Sequence, residues 1–157
     1  MKVMVAGGFD PLHIGHLRHI QLASKLGDYL VVSVSSDDAM IRKKGYCFMP
    51  LAERMEILRG LSCVDEVIET LDKDGTQAET LQKVKPDIFA KGGEYNMENL
   101  PQNEVRVCKE LVIKIVFGVG ERLNSSSDLV MHILQMEGTN GLEAIRGNNK
   151  REQTKSL

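Results

Sequence analysis

The run Lys2-Val3-Met4-Val5-Ala6, continuing into Gly7-Gly8-Phe9-Asp10-Pro11-Leu12-His13-Ile14-Gly15-His16, decides the fold. Residues 2 to 6 are a short apolar run and read as a buried strand. The two glycines let the backbone turn tightly and approach a ligand closely. A helix pattern follows from about Ile14 to Leu26, with Ile14, Leu17, Ile20, Ala23 and Leu26 at helical spacing. In an open parallel α/β sheet, ligands bind beyond the carboxyl ends of the strands. The helix points its free N–H groups back at the turn, which makes an anion site. His13 and His16 are three apart and share one side of the first helical turn. Gly15 between them leaves no side chain to block a phosphate. Imidazole donors and helix N–H groups suit phosphoryl transfer, because they stabilise charge on an α-phosphate while pyrophosphate leaves. A Walker A loop is excluded, since no Gly-Lys-Ser or Gly-Lys-Thr step follows, and the GxGxxG dinucleotide fingerprint is absent.

The rest of the chain repeats the strand-then-helix pattern. Gly27-Asp28 punctuates the first helix, and residues 29 to 34 read as a fully buried strand. Residues 37 to 49 predict a short helix and then a loop, with Arg42-Lys43-Lys44-Gly45 placed in the loop. Pro50 reads as a first-turn residue of a helix whose apolar face is Leu51, Met55, Leu58 and Leu61. Residues 64 to 68 predict a third strand, 76 to 84 a helix stopped by Pro86, and 87 to 90 a fourth strand. A helix over about 102 to 111, a strand over 113 to 117 and a closing helix over 127 to 136 complete the pattern. The expected fold is a single Rossmann-like α/β domain over 1–137, with about five parallel strands and helices on both faces. Residues 138 to 157 bring Gly138, Gly141, Gly147, Asn148 and Asn149 with few apolar anchors, and read as a polar, flexible tail.

The chain has 157 residues, 42% hydrophobic and 27% charged, with a formal net charge of −2. That balance forces neither a nucleic-acid nor a membrane partner. The absence of tryptophan weakens any base-stacking role. No run is long enough to span a bilayer and no signal core opens the chain, so a cytoplasmic location is expected. Cys47, Cys63 and Cys108 are odd in number and contain no CxxC, which argues against disulfides or a zinc site.

Four further runs carry chemistry. Lys91-Gly92-Gly93-Glu94-Tyr95 follows the fourth strand, another ligand-facing strand end where Lys91 can hold an anionic group. Asn124-Ser125-Ser126-Ser127-Asp128 starts the last helix, where hydroxyls cap N–H groups or cradle a phosphate. Glu53-Arg54 starts the helix after Pro50. Lys44 is a flexible cationic stem suited to closing over a polyphosphate, with Lys43 as its competitor.

With the HxGH step after a strand and a Gly-Gly-Phe-Asp turn, residues 1 to about 135 resemble the HxGH nucleotidyltransferase superfamily, the cytidylyltransferase-like fold. Within it the chain is most similar to the heptose-1-phosphate adenylyltransferase and glycerol-3-phosphate cytidylyltransferase group. The resemblance implies that His13 and His16 bind the triphosphate and stabilise the transition state. It implies that the turn Gly7, Gly8, Phe9 and Asp10, with Gly15, packs along the nucleotide. Lys44-Gly45 looks like the family's lysine-glycine step, whose lysine reaches phosphates and makes Lys44 a third catalytic residue. Ser125, Ser126 and Ser127 match a run of three serines or threonines that binds nucleotide phosphate. Lys91-Gly92 is assigned to the nucleotide, and Arg54, Gly93, Glu94 and Tyr95 to the acceptor. The run from Lys91 to Tyr95 is similar to the KGGDY step of the heptose-1-phosphate adenylyltransferases. Cytidylyltransferases place an arginine five residues before the first serine; Gly120 stands there, and Arg122 sits three before. Asp65-Glu66 lies in a segment similar to one that pairs subunits in the family, so a homodimer is expected.

The implied reaction is attack by a substrate phosphate on the α-phosphate of ATP or CTP, with Mg²⁺ entering on the triphosphate and no protein-only metal site. A sugar 1-phosphate acceptor with ATP is favoured, giving an ADP-sugar. The chain has no room for a fused kinase, so a separate kinase is expected to supply that acceptor. The alternatives are CTP with glycerol 3-phosphate or a polyol phosphate, ATP with FMN or phosphopantetheine, and a nucleotide-binding regulatory protein without turnover.

Overall fold

A computed structural model describes residues 1–120 and 125–136 of the chain. The chain divides between Leu123 and Asn124 into a first unit holding the whole sheet and a second holding the last helix. Arg122 and the tail 138–157 lie outside the described residues.

The sheet has five strands: β1 (Lys2–Gly7), β2 (Tyr29–Val34), β3 (Glu66–Glu69), β4 (Ile88–Ala90) and β5 (Lys114–Val116). Their spatial order is β3-β2-β1-β4-β5, and every neighbouring pair is parallel. Side chains of a strand point alternately to opposite faces. Val3 and Val5 of β1 therefore enter one core cluster, with Ile20, Ala23 and Leu58 from the helices. Met4, between them, enters the other, with Leu81, Val107 and Cys108. Helices thus cover both faces, α1 (Ile14–Ala23) and α3 (Leu51–Arg59) on one, α4 (Ala78–Val84) and α5 (Gln102–Glu110) on the other. This is the doubly covered parallel sheet that the alternating pattern predicts.

Four local expectations shift. The first helix ends at Ala23 and tightens into a 3-10 turn over Ser24–Leu26. The third strand begins at Glu66, two residues late, because Asp65 turns its backbone and side chain onto β2: it donates its N–H to the Leu30 carbonyl, and its carboxylate accepts the Leu30 N–H at 2.7 Å. The basic run 42 to 44 is the last turn of a helix, α2 (Asp37–Lys44), not a loop. Basic side chains complement the negative end of a helix, and Gly45 at φ 84° takes the left-handed position that terminates it. Pro50 is the residue before α3 rather than its first.

The chain runs from β1 outward through β2 and β3, then crosses back to place β4 on the other side of β1. The strand order reverses between β1 and β4, where Val3 pairs with Ile88 and Met4 with Phe89. A crevice opens beyond the strands at such a switch point. The Gly7–His16 run leaves one side of it and the Lys91–Tyr95 run leaves the other. α6 (Ser126–Gln135) forms the second unit.

Candidate active site

The turn after β1 is built under strain. Phe9 sits at φ 52°, a conformation that costs a non-glycine residue roughly 1 kcal/mol or more. Burial of its ring holds it there. A Cβ at Gly8 would lie 2.5 Å from the Met40 sulfur, so the flexible end of Met40 would have to move aside for any larger residue. The peptide Asp10–Pro11 is cis. Phe9 thus offers the site its backbone, while its ring lies beneath His16, edge-on at 5.1 Å between centroids.

His13 and His16 cap α1 and each other. The Gly15 N–H donates to His13 Nδ1 at 3.1 Å, and the His13 N–H donates to His16 Nδ1 at 3.3 Å. Both Nδ1 atoms are therefore acceptors, which places the proton of each neutral ring on Nε2. The rings stack with centroids 3.8 Å apart. Two imidazolium ions cannot share that spacing. Burial, then His13, His19 and Lys44, pull the His16 pKa down to about 3. His16 is consequently a neutral N–H donor through the physiological range. The first turn of α1 carries no acidic residue, so nothing cancels its positive end.

The structure brings Lys44 to this turn. Its ammonium lies 3.5 Å from the Asp10 carbonyl, while Lys43 is exposed. Partial burial lowers the Lys44 pKa, against the pull of the Asp10 charge. Asp10 itself is fully buried, and its two oxygens accept the Phe48 and Met49 N–H groups at 2.8 and 2.6 Å. Its carboxylate holds the loop after α2 against the turn.

Arg54 is 1% exposed and is likewise taken up by protein partners. It donates to the carbonyls of Met49, Gly8 and Ser35 and to Asp37 Oδ1, at 2.6 to 2.8 Å. Those carbonyls belong to the ends of β1 and β2 and to the loop before α3. Arg54 therefore ties together the backbone on which the site stands. Cys47 Sγ is tied to Asp37 and to the Met49 carbonyl, and burial pushes its pKa up to about 11, which leaves no thiolate nucleophile there.

On the other side of the crevice, Lys91 is buried with its ammonium 4.2 Å from the Tyr95 ring centroid and 4.6 Å from that of Phe89. Gly92 is half-buried, Gly93 and Glu94 are exposed, and the Gly93 N–H donates to the Gly120 carbonyl. The Lys91 carbonyl accepts the Val119 N–H at 3.0 Å, so the ends of β4 and β5 are zipped together. His19, one turn beyond His16, reaches the Val119 carbonyl through Nδ1. Sequence reading missed His19 and also Glu104, which faces Lys91. The signals present were a third histidine at i+3 spacing and an acid at 104 beside Val105, Val107 and Cys108 on a helix.

The second unit has its own capped end. Ser125 Oγ accepts the Asp128 N–H at 3.0 Å, and Asp128 Oδ2 accepts the Ser125 N–H at 3.2 Å. Ser126 is buried and Ser127 exposed. Among the described residues no cluster of three His, Cys, Asp or Glu side chains forms a metal site. No helix among them is long and apolar enough to cross a membrane.

Comparison with known proteins shows the family. The family model described as cytidylyltransferase-like matches residues 4–142. The bifunctional protein HldE of Streptomyces coelicolor is 46% identical over 103 residues, covering 64% of this chain and 22% of that one. HldE of Citrifermentans bemidjiense is 36% identical over 135 residues, covering 84% of this chain and 27% of that one. The chain thus spans about a quarter of the length of these relatives or less. The crystal structure of the lipopolysaccharide core biosynthesis protein from Thermoplasma volcanium superposes with a TM-score of 0.60 at 30% identity, over 75% of this chain and 93% of that one. The chain belongs to the cytidylyltransferase-like family of nucleotidyltransferases.

Proposed function

We propose that the chain transfers a nucleoside monophosphate from ATP, in preference to CTP, to the phosphate of a small acceptor, with release of pyrophosphate. The acceptor class is a sugar 1-phosphate, such as D-glycero-D-manno-heptose 1-phosphate, and the product an ADP-sugar. The observation that carries the reaction is the stacked His13–His16 pair at the α1 N-terminus, with Nδ1 of both rings accepting backbone N–H groups, which puts the proton of each ring on Nε2. An acceptor phosphate is already anionic, so no base must remove a proton from it. An acceptor oxygen attacks the α-phosphorus as the bond to the bridging oxygen breaks, and pyrophosphate leaves with that electron pair. Charge grows on the phosphoryl oxygens, and neutral imidazole donors answer that need without a covalent intermediate. Lys44 neutralises the triphosphate from the α2 side. Mg²⁺ belongs to the nucleotide substrate: both oxygens of Asp10, the acid of the turn, are taken by amides.

The acceptor class rests on the resemblance of the Lys91–Tyr95 run and on the similarity to HldE proteins. Gly93, Glu94 and Tyr95 would face the acceptor, and Ser125, Ser126 and Ser127 the triphosphate tail. Arg54 enters this account as the residue that fixes the turn, since four of its bonds go to backbone and Asp37. A homodimer remains part of the proposal; β3, which carries Glu66, is an edge strand.

Pyrophosphate release, scanned with ATP and CTP against sugar 1-phosphates, polyol phosphates, FMN and phosphopantetheine, tests the reading. Release with ATP and a heptose 1-phosphate is the expected result. Release with CTP and glycerol 3-phosphate, or with ATP and FMN or phosphopantetheine, keeps the chemistry and overturns the acceptor. ATP binding with no release across the panel favours a regulatory nucleotide binder.

A further inference from the structure

Behind the crevice, Lys91 and Glu104 form a buried ion pair. Lys91 is 7% exposed and Glu104 2%, and Nζ lies 3.6 Å from Oε2. Glu104 Oε1 accepts the Gln77 N–H at 2.9 Å, whereas Oε2 is buried with no hydrogen-bond partner. Gln77 in turn accepts from Ser33 of β2 through Oε1 at 2.8 Å. The pair is therefore anchored from the carboxylate side: α4 and β2 fix Glu104, and Glu104 has one oxygen left for the ammonium. On the other side Lys91 is boxed by the rings of Phe89 and Tyr95. Rings of this kind favour a cation but do not themselves fix its charge.

We propose that Glu104 is a positioning residue for nucleotidyl transfer, holding Lys91 charged and in place directly after β4, beside the switch point between β1 and β4. This rests on the functional reading above, in which Lys91 holds an anionic group of a substrate. A lone buried ammonium loses its proton easily. Burial lowers the Lys91 pKa and raises that of Glu104, and each opposes the shift in the other. The other groups facing Lys91 are Glu94 on its own loop, Lys43 of α2, His19 of α1, Tyr95, and Cys108 of α5. Glu94 is exposed and Lys43 repels, so Glu104 is the one buried counter-charge among the described residues. Asp72 is the further acid facing Glu104, and its oxygens accept from Glu79 and Thr80.

Glu104→Gln keeps the size and an oxygen for the Gln77 N–H, and removes the charge together with the acceptor that faces Lys91. Titration of the lysine side chains by ¹³C-labelled NMR should show the Lys91 midpoint falling by about one unit or more in Glu104→Gln, and staying near wild type in Glu104→Asp. Turnover of Glu104→Gln should approach wild type at low pH and fall tenfold or more as pH rises through that midpoint, a step the wild type lacks at that pH. An unchanged Lys91 midpoint, or a loss of turnover equal at every pH, overturns the proposal. If Glu104→Gln does not fold, Lys91→Met supplies the reciprocal test: the Glu104 carboxyl should titrate at higher pH than in wild type, and an unchanged carboxyl overturns the pairing. Wild-type protein without pyrophosphate release would sink the functional reading, while the lysine titration still decides the pairing by itself.

Discussion

The N-termini of α1 and α6 are built alike and equipped differently. Each is closed by a reciprocal pair, the residue before the helix and the third residue in it. At α1 the pair is His13 and His16, with no acid in the first turn. At α6 it is Ser125 and Asp128, and the carboxylate of Asp128 already satisfies the Ser125 N–H. Both ends read as phosphate sites in the sequence. An anion arriving at α6 must compete with a resident carboxylate, whereas at α1 it meets two neutral donors and the nearby Lys44 ammonium. On the proposed reading, a helix end becomes a reaction centre through the groups that cap it, not through its dipole, which both possess. On this account α1 supplies turnover and α6 supplies at most binding.

The largest departure should come from the α1 cap. His13→Ala is expected to lower kcat by about two to three orders of magnitude. It should also cost about 1 kcal/mol of stability through the lost cap; thermal unfolding beside steady-state rates separates the two. Lys44→Ala should come next, raising the KM for the triphosphate by roughly tenfold with a smaller effect on kcat. An unchanged KM would remove the α2 side from the comparison. Ser125→Ala should destabilise α6 by about 1 kcal/mol, seen as faster amide exchange at Asp128, and leave kcat within a few-fold. A kcat loss matching that of His13→Ala would erase the distinction between the two helix ends.

The last effect is on stability against pH. The folded pKa of His16, about 3, lies below the ordinary histidine value of 6.5. The unfolded chain therefore takes up a proton first as pH falls. The contribution is present above about 6.5 and is lost toward 3, at up to about 1.4 kcal/mol per pH unit. Unfolding free energies measured between pH 7 and 4.5 should fall less steeply in His16→Gln than in wild type. Equal slopes would mean that His16 titrates normally in the folded protein.

Much of this contrast was legible in the residues. The spacing of His13, Gly15 and His16 after a strand located the α1 end, and residues 29 to 34 matched β2 at both ends. These are local signals, in which period and turn chemistry act within a few residues. What escaped was long-range. Nothing near Arg54 in sequence says that its guanidinium will join the carbonyls of Gly8, Ser35 and Met49, which the fold assembles from separate elements. Asp10 reads as a ligand-facing acid, yet its carboxylate holds residues 48 and 49, and the partner amides carry no sequence signature. Lys91 and Glu104 meet because β4 and α5 pack together, which composition does not encode. Lys44 reads as a loop residue because helix α2 is weakly amphipathic; its capping residues, Ser36 and Gly45, are the better signal.

The most direct test is single-turnover pyrophosphate release by wild type, His16→Ala and Ser125→Ala at pH 7.5, with ATP binding measured on the same samples. The account predicts that His16→Ala stays folded and binds ATP within about tenfold of wild type while its rate falls by two or more orders of magnitude, and that Ser125→Ala turns over within a few-fold of wild type. A folded His16→Ala protein releasing pyrophosphate at the wild-type rate would contradict it.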